Sequence, residues 1–274
     1  KKFEDTKGTE LAFKNKKKFT KKTFCEKLGW DEKKPIAIIF DQHYLDGIFD
    51  SNRWYFEDHL DWIRSTFIEI KKIKNINWLI KAHPLDPYEI HHSTTSTEEE
   101  FKKIIGDMEN IKIFPNNYSS GLLPKIASAI TTGCGTPGIE YPCFGIPCIL
   151  SNESHYSGNG FTVEPKTREE YFKYLNNINN LKKLSNEETL RAKNFLYLEI
   201  MGGRSVIPLL PKYDIGQKFF SKGNSKKFWT ECGLLASEYN IENDEFINIL
   251  KKQIDTKSKH LVNKNIINYY AKKN

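Results

Sequence analysis

Residues 35–40 read Pro-Ile-Ala-Ile-Ile-Phe, a run with no polar side chain that is followed at once by Asp41-Gln42-His43. A strand with one wet face alternates apolar and polar residues. An unbroken β-branched run is what a strand shows when helices cover both of its faces, as in a parallel sheet. That feature confines the chain to α/β architectures, and the residues beyond it agree. Trp54 to Ile73 carries Phe56, Leu60, Ile63, Phe67 and Ile70 at helical spacing, and Asn-Trp-Leu-Ile-Lys-Ala at 77–82 is the next strand.

The alternation then repeats. Helix is predicted over Glu98 to Met108 and strand over Ile111 to Phe114, then a short helix over Gly121 to Ala127 and strand over Ser128 to Thr132. Helix over Pro137 to Phe144, strand over Pro147 to Leu150 and helix over Glu169 to Ile178 complete the series. Strands separated by helices imply right-handed crossovers and a Rossmann-like, doubly wound parallel sheet. Three regions are expected: a polar, partly helical lead-in at 1–34 with a helix over Lys21 to Leu28, the sheet domain at 35–184, and a helical extension at 185–274. In the extension, helices are expected over Asn186 to Ile200, Ile241 to Ile254 and Asn263 to Ala271, with Gly202-Gly203 ending the first and residues 216–223 as a connector. The chain begins Lys-Lys-Phe-Glu, which reads as a trimmed or partial chain whose lead-in is the remnant of, or linker from, a missing lobe.

Composition narrows the function classes. No apolar stretch approaches the roughly 20 residues a membrane-spanning helix needs, and no signal-peptide pattern opens the chain, so a cytoplasmic protein is expected. The five cysteines are odd in number and lack any C-x-x-C pair, which points to neither a disulfide framework nor a zinc site. The histidines do not form a metal triad, and no metal is expected. The net charge of +7 is concentrated in lysine-rich stretches such as Lys16 to Lys22 and Lys222 to Lys227. Solvated lysines explain these better than nucleic-acid contact does, since a lysine run alone specifies no partner.

Ligands of doubly wound sheets bind beyond the carboxyl ends of the strands, and the loops there hold the candidate chemistry. The second strand runs into Lys81-Ala82-His83-Pro84. Proline ends the ladder and biases His83 to extended geometry. The His83 imidazole can then donate to a phosphate oxygen, with Lys81 adding charge. An isolated His-Pro more often merely ends a strand, so its weight comes from its neighbours. These are Thr132, Gly133, Gly135, Thr136, Gly138 and Glu140 in the stretch TTGCGTPGIE, where a strand turns into a helix. Glycines admit close backbone approach, Thr136 reads as an N-cap with Pro137 at the first helical position, and amides plus dipole make an anion site. The stretch is neither a Walker loop nor the dinucleotide fingerprint, and a purely structural tight turn remains the competing reading. His83 and this turn are expected to approach the same negatively charged group.

His155, Tyr156, Ser157 and Gly158, after the fifth strand, suit contact with a sugar or phosphate, though a lid without specific contacts fits as well. Asp41, His43 and Asp46, after the first strand, offer an acceptor base, although Asp46-Gly47 is also an ordinary turn signal. Ser119-Ser120 lacks the elbow of a serine hydrolase.

Taken in order, FDQHYLDG, WLIKAHP, TTGCGTPGIEYPCFGIPCIL and YSGNGFT make residues 35–175 resemble the carboxyl-terminal lobe of GT-B glycosyltransferases. The likeness is strongest to the capsule polysaccharide family that includes Kdo transferases, and coarser to bacterial sialyltransferases that use CMP-sialic acid. The resemblance implies a nucleotide-sugar donor, a CMP-sugar among the candidates, with His83 and the 132–136 turn near its phosphate and Glu140 near the ribose. It also implies a bacterial surface polysaccharide or glycolipid acceptor, held by an amino-terminal lobe that this chain lacks, and transfer with no obligatory metal or other cofactor. Work at the inner face of the cytoplasmic membrane, with peripheral association, would suit such an acceptor. The loop HYSGNGFT departs from the family's Tyr-Ala-Gly-Trp-Gly pattern, which leaves the sugar open. A nucleotide-sugar 2-epimerase and a non-catalytic nucleotide-binding scaffold are the alternatives.

Overall fold

A computed structural model describes residues 16–44, 55–83, 94–199 and 224–257. The chain divides into two compact units at Lys193/Asn194.

The first unit is built on five parallel strands: β1 (Ile36–Phe40), β2 (Asn77–Lys81), β3 (Ile111–Ile113), β4 (Ala129–Thr132) and β5 (Cys148–Leu150). Their order across the sheet is β3-β2-β1-β4-β5. Each strand agrees with the sequence reading to within a residue at either end. Phe40 pairs with Lys81 on one side and with Thr132 on the other, so the carboxyl ends of β1, β2 and β4 lie level. The winding reverses between β1 and β4, which makes their carboxyl ends the topological switch point of a Rossmann-like fold.

The chain order of the helices is α1 (Lys21–Leu28), α2 (His59–Ile70), α3 (Thr97–Ile104), α4 (Pro137–Glu140), α5 (Arg168–Asn176) and α6 (Asn186–Tyr197). One face of the sheet presents Ala37, Ile39, Trp78, Ile80, Ala129 and Ile149 to a core shared with Trp62, Ile63 and Phe67 of α2 and Tyr171 of α5. The intervening residues Ile36, Ile38, Leu79 and Ile130 are equally buried on the other face. Burial of both parities explains why no strand alternates. Tyr171 anchors the first face: its hydroxyl accepts from Trp62 Nε1 at 3.0 Å and shares hydrogen bonds with Thr66 and Thr131 at 3.2 and 3.1 Å.

Residues 16–34 belong to this unit. Phe24 of α1 is fully buried and stacks on Phe19 at 4.6 Å. Trp30 Nε1 donates to the Glu109 carbonyl at 2.7 Å, and Lys17 pairs with Tyr118 beyond β3.

Helix α2 starts at His59, past the predicted Trp54, and α3 ends at Ile104, short of the predicted Met108. In two further predicted helices proline brings in 3-10 geometry. Residues 120–125 form a 3-10 turn that contains Pro124. Helix α4 stops at Glu140, and Pro142–Phe144 continues as 3-10, because Pro142 lacks the N–H an α-helix would use.

The second unit contains α7 (Asn224–Ser237) and α8 (Glu245–Thr256). The Asp244 side chain caps α8 by accepting from Ile247 N at 2.9 Å, which moves its start past the predicted Ile241. Helix α7 is not foreseen, since Thr, Cys and Gly233 are weak helix formers. The helix predicted over 263–271, Gly202-Gly203 and the 216–223 connector lie outside the described residues. Among the described residues, no helix is long and apolar enough to cross a membrane.

Candidate functional site

The loops that leave β1, β2, β4 and β5 meet at the switch point. Gln42, two residues past β1, donates from Nε2 to Thr132 Oγ1 at 3.0 Å, and that hydroxyl donates to the Phe40 carbonyl at 3.2 Å. This ties the β1 loop to the last residue of β4. The glycine-rich turn begins there, with Gly133 buried, Cys134 and Gly135 half-buried and Thr136 exposed.

The glycines are required by their neighbours. A Cβ at Gly133 would lie 3.1 Å from Gln42 Cγ and 3.4 Å from the His59 ring, and one at Gly135 would lie 2.5 Å from Gln42 Nε2. At Gly138 the intruder would be Tyr156, whose Cζ stands 2.7 Å from the added carbon. Thr136 does not act as the expected cap. It already has helical φ −55 and ψ −24, and its side chain makes no capping bond, while Pro137 does open the helix. The amides of Gly138, Ile139 and Glu140 donate to the carbonyls of Gly135 and Thr136, so amide donors for an anion have to come from 133–136.

The loop after β5 braces this turn. Ser151 N donates to the Thr132 carbonyl at 3.0 Å, Ser154 Oγ to Cys134 O at 3.3 Å, and Tyr156 Oη to Gly135 O at 2.8 Å. Tyr156 is fully buried, so it supports the turn from behind, whereas His155 and Gly158 are exposed and Ser157 is half-buried. Gly158 has φ +78, a conformation that favours glycine.

On the opposite side of β1 stand the β2 residues. His83 is half-buried, and its ring meets that of His43, from the β1 loop, edge-on at 6.1 Å between centroids. Lys81 packs its ammonium over Phe114 at 5.7 Å and donates to the Ala82 carbonyl at 3.1 Å. Burial, and secondarily the positive charge of Lys16, push its pKa down to about 8.

His83 and the glycine-rich turn therefore flank β1 from β2 and β4, two strand spacings apart, or roughly 10 Å. The β1 loop fills the interval, with His43 against His83 and Gln42 against the turn.

Asp41 is 4% exposed, and its carboxylate accepts from Gln42 N at 2.8 Å, Tyr44 Oη at 3.0 Å and Thr97 Oγ1 at 2.6 Å. It fastens the β1 loop to the start of α3. Serving as an acceptor base would require it to exchange those bonds. Glu140 is buried in α4, where its charge adds to the burial that raises the ionisations of Tyr141 and Cys143, the latter to about 11. Asp46 and Pro84 lie outside the described residues. Among the described residues, no three His, Cys, Asp or Glu side chains gather as a metal-ligand set.

Gln42, His59 and Asn152 also belong to this region but were not among the sequence candidates. Gln42 sits within the FDQHYLDG segment, whereas Asn152, two residues past β5, carries no local signal that sets it apart from the polar residues around it. His59 opens a helix distant in sequence, and nothing local points to it.

No protein-family model matches the chain, and no curated protein matches it. Among solved structures, it is similar to a β-Kdo 2,7 transferase, KpsC of Thermosulfurimonas dismutans, at 19% identity and a TM-score of 0.36, over 58% of this chain and 45% of that one. A UDP-GlcNAc 2-epimerase of Neisseria meningitidis bound to UDP-GlcNAc is similar at 12% identity and a TM-score of 0.42, over 66% and 48%. A glycosyltransferase of Rickettsia africae is similar at 16% identity and a TM-score of 0.37, over 67% and 52%. The chain thus spans about half the length of the solved structures it matches.

Proposed function

We propose that this chain is the donor-binding half of a glycosyltransferase that moves a sugar from a nucleotide-activated donor, a CMP-sugar among the candidates, to a bacterial surface polysaccharide or glycolipid. The observation that carries this reading is the switch-point crevice, where a glycine-rich turn whose glycines cannot be replaced without displacing Gln42 and Tyr156 stands across β1 from His43 and His83. The sequence resemblance supplies the substrate class.

On this reading the donor lies across the β1 loop. Amides of 133–136 and the imidazoles of His83 and His43 donate to its phosphate oxygens, Lys81 adds positive charge, and Glu140 serves the ribose. As the bond from anomeric carbon to phosphate breaks, negative charge grows on the leaving nucleotide. Donors fixed in advance stabilise that charge more than they stabilise the ground state. Such donors do the work that a cation does elsewhere, so the transfer has no obligatory metal. With Asp41 committed to Gln42, Tyr44 and Thr97, the acceptor base is Asp46 or a group from an acceptor-binding lobe outside this chain.

Thermal denaturation in the presence of CMP, UDP and GDP tests the reading. A ligand at a hundred times its Kd stabilises the fold by about 2.7 kcal/mol, and at least one nucleotide is expected to raise the melting temperature. No shift with any of them contradicts the proposal. Incubation with UDP-N-acetylglucosamine alone should leave the sugar unchanged, and 2-epimerised product would assign an epimerase instead.

A further inference from the structure

Asn152 lies two residues past β5 and is 2% exposed. Neither its Nδ2 nor its Oδ1 has a hydrogen-bond partner among the described residues, and the Oγ of the fully buried Ser151 beside it is in the same condition. Buried polar side chains are nearly always hydrogen-bonded, because leaving one unmet costs about 1–3 kcal/mol. Asn152 also lines a small cleft open to solvent, together with Tyr55, Ser157, Glu164 and Lys166.

Two walls of the cleft are already committed. Ser157 Oγ accepts from Ser154 N at 3.0 Å, and Glu164 accepts from Gly158 N at 2.9 Å and Thr162 Oγ1 at 2.7 Å. Asn152 retains its full capacity of two N–H donors and one carbonyl acceptor. A phosphate accepts only and would leave Oδ1 unmet. A hydroxyl or an acetamido group both donates and accepts, and is the complement.

We propose that Asn152 determines specificity by hydrogen-bonding a hydroxyl or acetamido group of the donor's sugar, while the glycine-rich turn holds the adjoining phosphate. This rests on the nucleotide-sugar reading above. Asn152 is positioned for it, since Ser151 N and Ser154 Oγ, on either side, are bonded to the Thr132 and Cys134 carbonyls of that turn.

The test titrates the chain, Asn152→Leu and Asn152→Ala with UDP, UDP-N-acetylglucosamine, CMP and CMP-N-acetylneuraminate, and records melting temperatures without ligand. In the unaltered chain, one nucleotide-sugar is expected to bind more tightly than its bare nucleotide. In both variants that advantage falls about tenfold, the scale of one lost hydrogen bond, while the bare nucleotide binds as before. Asn152→Leu melts at the same temperature as the unaltered chain or higher, because an apolar side chain of similar size has no bond to lose. Nucleotide binding with the sugar advantage unchanged overturns this inference and leaves the donor-binding reading standing. So does a marked fall in the melting temperature of Asn152→Leu, which would make the amide a structural element. Failure of every nucleotide to bind overturns both.

Discussion

Gln42 Nε2 reaches Thr132 Oγ1 across 3.0 Å and so joins the loop leaving β1 to the end of β4, the two strands between which the sheet reverses its winding. The same amide carries Cys134 Sγ against its oxygen at 3.9 Å. One side chain thereby sets where the glycine-rich turn begins. Replacing Gln42 with Ala removes a part-buried hydrogen bond, for a stability loss of about 0.5–1.5 kcal/mol by denaturant titration. Nucleotide affinity is expected to fall more, about tenfold, because the turn loses its fixed start.

Tyr156 and Gly138 are coupled. Gly138→Ala drives a Cβ into the phenol ring of a buried tyrosine and should cost about 1–3 kcal/mol, as overpacking does. Tyr156→Phe removes the hydroxyl that bonds Gly135 O. In the double variant the two losses are predicted to sum to less than their separate values, since the phenylalanine relieves part of the overlap. A denaturation double-mutant cycle measures this, and strict additivity would show that the two do not interact.

Lys81 gives the site a basic limit. Its pKa is pushed from an ordinary 10.5 to about 8, so it loses charge as the pH rises through 8. Nucleotide affinity should fall over that range, and Lys81→Met should flatten the profile. Stability moves the other way: between 8 and 10.5 the unfolded chain binds more protons than the folded one, so this group makes the fold more stable as pH rises.

Acid stability depends in part on Glu100. The Arg64 guanidinium bonds it at 2.7 and 3.0 Å, with Thr95 and Lys103 adding further bonds, and holds its carboxyl at about 2 in place of 4.5. Because the folded value is depressed, the stabilisation is complete above 4.5 and is lost as the pH falls towards 2. Glu100→Gln should lower stability at neutral pH and make its decline over that acid window shallower.

The strands were legible in the sequence because double burial leaves an unambiguous apolar run, as in Ile36–Phe40, and because polar residues punctuate each one. The helices were less so. Pro124 and Pro142 sit where periodicity runs straight through, and the 3-10 geometry they impose does not show in an apolar pattern. Within the site, His83 and the glycine-rich turn were readable as local motifs. What could not be read was their separation, since the strand order that inserts β1 between β2 and β4 comes from the packing of whole elements. Asn152 stayed hidden for a related reason: its meaning lies in the partners it lacks once folded.

Labelled-histidine and amide resonances tracked in a single titration with the nucleotide that shifts the melting temperature decide whether the two sides of β1 serve one ligand. The His83 imidazole and the Gly133 and Gly135 amides are predicted to move along curves that fit the same Kd. If the amides saturate while the His83 ring stays unchanged, His83 and the turn do not share a ligand, and the arrangement proposed for the donor is wrong.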